Sequence, residues 1–316
     1  MSYDDVGAIS AFAKAHDVSY PLLSDVDSAV IRQYGLLNTQ VEPGDVPLYG
    51  IPFPGSYVID EDGVVVAKFF HDSYKKRDSP DNLIDAALGR ISLQPEEPRA
   101  EGGDETVRVS ATLHGGGGVL KQGAMRSVVV RFDLPPGLHV YAEPVPEGMV
   151  ATSVTVEGVD GIRTGAPVLP PTEPLQLPGV DAELRVWSGT VDIAVPVWPT
   201  APLLSEMQEI TEPTTTLDVT VRYQACDDRT CLLPRTEKFS LEARLEPVDL
   251  PDLPLHPGSG QRVTKMGSGT QLRRLVIRKL LRTNPLDLLR SVRKQRRLNR
   301  AASARAQESA GPDARG

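Results

Sequence analysis

The stretch Leu217-Asp218-Val219-Thr220-Val221-Arg222-Tyr223-Gln224-Ala225-Cys226-Asp227-Asp228-Arg229-Thr230-Cys231-Leu232-Leu233-Pro234 alternates apolar and polar residues, then carries both cysteines of the 316-residue chain. A period of two over 217–223 predicts a half-buried strand whose odd positions face the core. Four polar residues separate Cys226 from Cys231, a natural hairpin loop length. Residues flanking such a loop lie with Cα atoms about 4.5–5.5 Å apart, which suits a disulfide. Cys226 shares parity with Thr220, Arg222 and Gln224, so it is expected to face outward or into a groove. The apolar parity of the next strand (Phe239, Leu241) points Cys231 inward, unless Pro234 shifts the register. Closing so small a ring stabilises a fold by only about 2 kcal/mol. Stability is therefore a weak reason for the pair, and thiol–disulfide exchange is the chemistry to expect. Asp227 and Asp228 disfavour a thiolate while Arg229 favours it, so local charge leaves the thiol pKa open. A merely structural, stapled hairpin remains the second reading.

Two cysteines are too few for a four-cysteine zinc site or a disulfide scaffold. The five histidines (His16, His71, His114, His139, His256) are dispersed, with none at i, i+4 from another. No metal and no cofactor are expected.

The two-residue period recurs in 107–113, 128–134, 191–197 and 239–245. Short alternating strands separated by turn residues predict an antiparallel β-sandwich over 105–248. Gly115-Gly116-Gly117-Gly118 lacks the Gly-Lys-Ser/Thr of a phosphate loop and is expected to join two strands. Trp187 and Tyr223 are expected in the core. Residues 1–93 predict α/β structure: helices near 6–16 and 25–34, strands at 56–59 and 64–69 about an Asp60-Glu61-Asp62-Gly63 turn, and a helix starting at Pro80. An acidic Pro/Gly linker is expected at 94–104.

Residues 249–260 are again rich in Pro and Gly, and the tail after them is basic. Residues 261–316 hold 15 Lys/Arg against 3 Asp/Glu, a net +12, whereas 1–260 hold 19 against 39, a net −20. Leu272, Val276 and Leu280 repeat at helical spacing, and Asn284-Pro285 starts a second segment, so the tail is expected to be helical or disordered. Such a tail would meet an anionic partner or the chain's own acidic body. No nucleic-acid fold precedes it, so no specific nucleic acid is expected. No apolar run reaches the ~18 residues of a spanning helix, so the chain is not expected to be transmembrane. Met1-Ser2-Tyr3-Asp4-Asp5 is not a secretory signal. The location expected from the chain as written is cytoplasmic, and extracytoplasmic if its start is truncated.

Within 3–93, Tyr20-Pro21-Leu22-Leu23-Ser24-Asp25, Tyr34-Gly35 and Pro54-Gly55-Ser56-Tyr57-Val58-Ile59-Asp60 with Gly63 resemble the C-terminal two-thirds of the redoxin family, the alkyl hydroperoxide reductase and thiol-specific antioxidant group. The resemblance implies a partial thioredoxin-like α/β domain, with Pro54 at the position of the family's structural cis-proline. The family's nucleophilic cysteine lies upstream of every matching residue, and neither Cys226 nor Cys231 is in this part. No peroxidase activity is expected of it alone, and its core is expected to be small.

In 137–245, Gly137-Leu138-His139-Val140-Tyr141, Trp187-Ser188-Gly189, and above all Tyr223-Gln224-Ala225-Cys226 with Cys231-Leu232-Leu233-Pro234, resemble the N-terminal domain of the thiol:disulfide interchange protein DsbD. The resemblance implies an immunoglobulin-like β-sandwich, a periplasmic module in which Cys226 and Cys231 are catalytic and exchange electrons with a thiol–disulfide partner protein through a mixed disulfide. An aromatic cap over the pair, known in that family, has no counterpart in Pro170-Pro171-Thr172-Glu173-Pro174-Leu175.

Overall fold

The computed structural model describes residues 1–247 apart from 42–49, 72–75, 177–182, 201–202, 205–209, 211 and 228, together with Arg293, Arg296, Arg297 and Arg300. The rest of the expected basic tail lies outside the described residues. Compact packing divides the chain into two units, the first holding residues 1–56 and the second 57–69 and 75–248.

In the first unit, helix α1 (Val6–Ala15) starts where the Asp5 carboxylate accepts from Ala8 N, 2.8 Å away. Ser2 and Ser24 pair as a parallel bridge. Asp25 accepts from Ala29 N and Ile31 N and so nucleates helix α2 (Ala29–Gln33). Gly35, at φ 67°, ends that helix in a conformation that favours glycine. Ile31 is the one buried hydrophobic side chain among the described residues of 1–56, whereas Phe12, Tyr20 and Leu23 are exposed. Strands β1 (Gly55–Ile59) and β2 (Val65–Phe70), most of whose residues belong to the second unit, form a two-stranded hairpin. Asp60 Oδ1 accepts from Asp62 N and Val64 N across its turn, with Gly63 at φ 80°. The cis peptide bond among the described residues is Glu143–Pro144, not the one before Pro54. A cis X–Pro bond persists only where surrounding packing favours it, and no cysteine lies near Pro54 in this unit.

The second unit is mostly β. After the short strand β3 (Arg77–Asp78) comes helix α3 (Pro80–Leu88), capped by Ser79 Oγ and closed by Gly89 at φ 64°. Then follow β4 (Arg99–Gly103), β5 (Arg108–His114), β6 (Val119–Lys121), β7 (Ala124–Asp133) and β8 (His139–Ala142). Strands β9 (Ser153–Gly158), β10 (Ile162–Thr164), β11 (Glu173–Leu175), β12 (Leu184–Ser188) and β13 (Thr190–Pro199) come next. The last three are β14 (Thr214–Tyr223), β15 (Ala225–Cys226) and β16 (Arg235–Glu246). One sheet runs β10-β13-β7-β5-β4, with β3 parallel to β7; a second runs β6-β16-β14-β9; a third runs β11-β12-β8-β15.

The odd residues Leu217, Val219, Val221 and Tyr223 of β14 are buried in one core with Val109, Val130, Phe132, Ile193 and Leu241, as the alternation predicts. Phe132 meets Tyr223 edge to face, with centroids 5.3 Å apart. Strands β5 and β7 depart from alternation, for they are buried on both faces. Their outer face is covered by α3 and the segment after it: Asp85 of α3 reaches His114, Asn82 accepts from Ser127 Oγ, and Arg131 donates to Ile91 O. Residues 99–103, expected in a linker, instead pair antiparallel with β5 as an edge strand. Gly102 permits this, because a Cβ there would stand 2.8 Å from the Phe239 ring.

Candidate disulfide exchange site

The Tyr223-Gln224 step decides the site. Strand β14 ends at Tyr223, and the chain then leaves its sheet; Ala225 and Cys226 pair instead with Val140 and His139 of β8. The change of sheet breaks the parity of the preceding strand, so Gln224, Ala225 and Cys226 are all buried in succession. Gln224 is held on both ends of its amide: Oε1 accepts from Val150 N at 3.1 Å, and Nε2 donates to Leu232 O at 3.1 Å.

Cys226 and Cys231 form a disulfide, with Sγ atoms 2.08 Å and Cα atoms 4.1 Å apart. They face each other as an antiparallel bridge. Flanking bonds run from Asp227 N to Thr230 O and from Leu232 N to Ala225 O, which makes the cysteines a non-hydrogen-bonded pair, the closer of the two antiparallel types. The loop is pinned by Asp227 Oδ1, which accepts from Arg229 N and Thr230 N. Those two bonds, with the nearby charges of Arg229 and His139, hold the Asp227 carboxyl below the usual carboxylate range.

Exposure is the reverse of the sequence expectation. Cys226 is 0% exposed, packed with Tyr141, Leu184 and Val186, while Cys231 is at the surface. The change of sheet at Gln224 buries Cys226. Cys231 lies outside β16, which starts only at Arg235, so the parity of Phe239 and Leu241 does not reach it. Leu233 beside it is 85% exposed.

Two further side chains belong to the site and were not singled out by chemistry in the sequence. The Tyr141 hydroxyl lies 3.9 Å from Cys231 Sγ, and His139 Nε2 lies 3.2 Å from the same hydroxyl. Burial raises the Tyr141 pKa. Both residues lie in the Gly137–Tyr141 motif, whose alternation puts 139 and 141 on one face of β8. Val145, Met149 and Leu175 pack around the cluster, so the 170–175 segment borders the site with an aliphatic rather than an aromatic side chain. Trp187 fixes that segment by donating from Nε1 to Pro170 O. Pro54 lies in the other unit. Among the described residues, no group of three His, Cys, Asp or Glu is arranged to hold a metal, and no helix is long and apolar enough to cross a membrane.

Residues 1–68 match the model of the AhpC/TSA family, and residues 119–243 match that of the thiol:disulfide interchange protein DsbD, N-terminal. The chain thus carries a redoxin-like segment followed by a domain like the DsbD N-terminal one. No curated protein matches it. Similar solved structures include the N-terminal periplasmic domain of ScsB from Proteus mirabilis, at 13% identity and TM-score 0.31, covering 47% of this chain and 51% of that one. Another is the Neisseria meningitidis DsbD N-terminal domain in the reduced form, at 15% identity and TM-score 0.25, covering 48% of this chain and 90% of that one. The chain spans about half the length of the ScsB structure.

Proposed function

We propose that this chain is an extracytoplasmic thiol–disulfide oxidoreductase that exchanges two electrons with a partner protein through Cys226 and Cys231. The observation that carries this reading is a disulfide between one buried and one exposed cysteine, inside the segment that matches the DsbD N-terminal family. A partner thiolate reaches Cys231 and not Cys226. Attack on Cys231 Sγ forms a mixed disulfide, breaks the bond to Cys226 and leaves the electron pair on Cys226 Sγ. The partner's second thiol then attacks its own sulfur and releases Cys231 as a thiolate. The products are a partner disulfide and a reduced pair, with the partner's two thiol protons finishing on Cys226 and Cys231. In reverse, Cys231 is the nucleophile. Neither cysteine lies in residues 1–68, so the redoxin-like segment contributes no thiol and has no peroxidase activity of its own.

The periplasmic setting named for the ScsB domain supports the extracytoplasmic location. The basic residues of 261–316 are proposed to dock the chain on an anionic surface by charge alone, without sequence-specific nucleic-acid recognition.

Equilibrating the protein with thiol–disulfide buffers tests the exchange reading. A reduction potential above about −300 mV is expected for an exchanging pair. A pair that resists reduction below that value is structural and defeats the reading.

A further inference from the structure

We infer that Tyr141 and His139 form a hydrogen-bond relay that stabilises the thiolate of Cys231, making Tyr141 a catalytic residue of the exchange and His139 a positioning residue behind it. The inference rests on the exchange reading and names the groups that tune its reactive sulfur.

Three atoms stand in a line of contacts: Cys231 Sγ, the Tyr141 hydroxyl 3.9 Å from it, and His139 Nε2 a further 3.2 Å on. Their polarity follows from chemistry. A thiolate accepts hydrogen bonds and cannot donate, so Tyr141 must give its O–H to the sulfur. The tyrosine oxygen is then free to accept, and the Nε2–H of His139 faces it. A donor that is itself hydrogen-bonded in this way is polarised and donates more strongly. The rings of His139 and Tyr141 meet edge to face at 5.1 Å, which fixes the imidazole against the phenol. Tyr141 is fully buried, so its hydroxyl has few competing water partners.

The backbone enforces the arrangement. His139 and Cys226 are opposed residues of β8 and β15, and Cys231 faces Cys226 across backbone bonds from Asp227 N to Thr230 O and from Leu232 N to Ala225 O, so backbone pairing keeps Cys231 beside the relay when the disulfide is open. The charged and polar groups about His139 are consistent with a donor there. Asp227 on the loop feels its charge, with Arg229 beside that carboxylate. Ser188 of β12, opposite His139, donates its hydroxyl to Glu173.

The relay acts wherever Cys231 carries the electron pair. When the mixed disulfide is resolved, the bond between the partner sulfur and Cys231 Sγ breaks and the pair stays on Cys231; in the reverse direction Cys231 attacks with it. Lowering the pKa of this sulfur speeds its departure and raises the thiolate fraction for attack.

The test is the pH profile of iodoacetamide labelling at Cys231 in the reduced full chain, read by mass spectrometry of the Cys231 peptide. Tyr141→Phe keeps the buried ring and removes only the hydroxyl. It is expected to shift the profile to higher pH and slow labelling at pH 7 by about tenfold. His139→Phe is expected to shift it the same way by less, and His139→Gln, which keeps an N–H donor, to restore it. If the Tyr141→Phe profile superimposes on that of the parent, the relay is wrong. Should that variant fail to fold, identical profiles for His139→Phe and His139→Gln overturn it instead. A reduction potential below about −300 mV for the parent pair sinks the exchange reading while leaving the labelling profiles to judge the relay.

Discussion

His114 stands between two carboxylates: Nδ1 is 2.9 Å from Glu97 Oε1, and Nε2 is 2.7 Å from Asp85 Oδ2. Glu97 also accepts from Gly115 N and Gln94 N, so it is satisfied as an anion. Burial pulls the His114 pKa down, but the bonds and charges of Glu97 and Asp85 outweigh it and hold the imidazole above its ordinary value of 6.5. A raised folded-state pKa means that the stabilisation is complete below about pH 6.5 and is lost as pH rises through the raised value. Replacing His114 by Gln leaves two carboxylates near one buried point and is expected to cost about 3 kcal/mol at pH 6. The difference between parent and variant urea midpoints should shrink as the pH is raised; a constant difference would show that the charge of His114 plays no part. Little of this was legible beforehand. His114 is one of five scattered histidines, and its partners lie 29 and 17 residues away, so no local spacing announces the contact. The cysteine pair, by contrast, was legible from its loop length, while the exposure of its two members was not, because parity counting assumes that a strand stays in one sheet.

At the scale of elements, that assumption fails at Gln224. Its side chain holds the chain where the strand changes sheets, joining the Val150 backbone to the Leu232 backbone. Gln224→Ala removes both bonds, from the partly buried Val150 N–H and to the carbonyl of the exposed Leu232, and is expected to cost about 1 kcal/mol, measured as a lower urea midpoint. An unchanged midpoint would mean that the amide merely fills space. The strands at 107–113, 128–134, 191–197, 217–223 and 239–245 were legible because each sets an apolar face against one core. The edge strand β4 was not, since Arg99-Ala100-Glu101-Gly102-Gly103 has the composition of a turn. Its pairing depends on the absence of a side chain at Gly102. Gly102→Val should push against Phe239 and destabilise by about 1–3 kcal/mol, with loss of amide protection in β4; protection equal to the parent's would show that the ring can yield.

At the scale of the whole molecule, chemistry and ancestry part company. Among its described residues the redoxin-like segment supplies a hairpin, two helices and one buried apolar side chain, Ile31, while both sulfurs belong to the second, mostly β unit. The proposed charge-driven docking predicts that the full chain sediments with anionic vesicles at low salt and is released as salt rises. A chain lacking 261–316 that binds equally would remove the tail from that role. The central claim, exchange through an exposed Cys231 resolved against a buried Cys226, is tested most directly by trapping. Each single variant, Cys226→Ser and Cys231→Ser, is mixed with an aromatic disulfide and the released thiol is timed. The account predicts rapid mixed-disulfide formation when Cys231 is the remaining thiol and far slower reaction when Cys226 remains. Equal or faster reaction of Cys226 would contradict it.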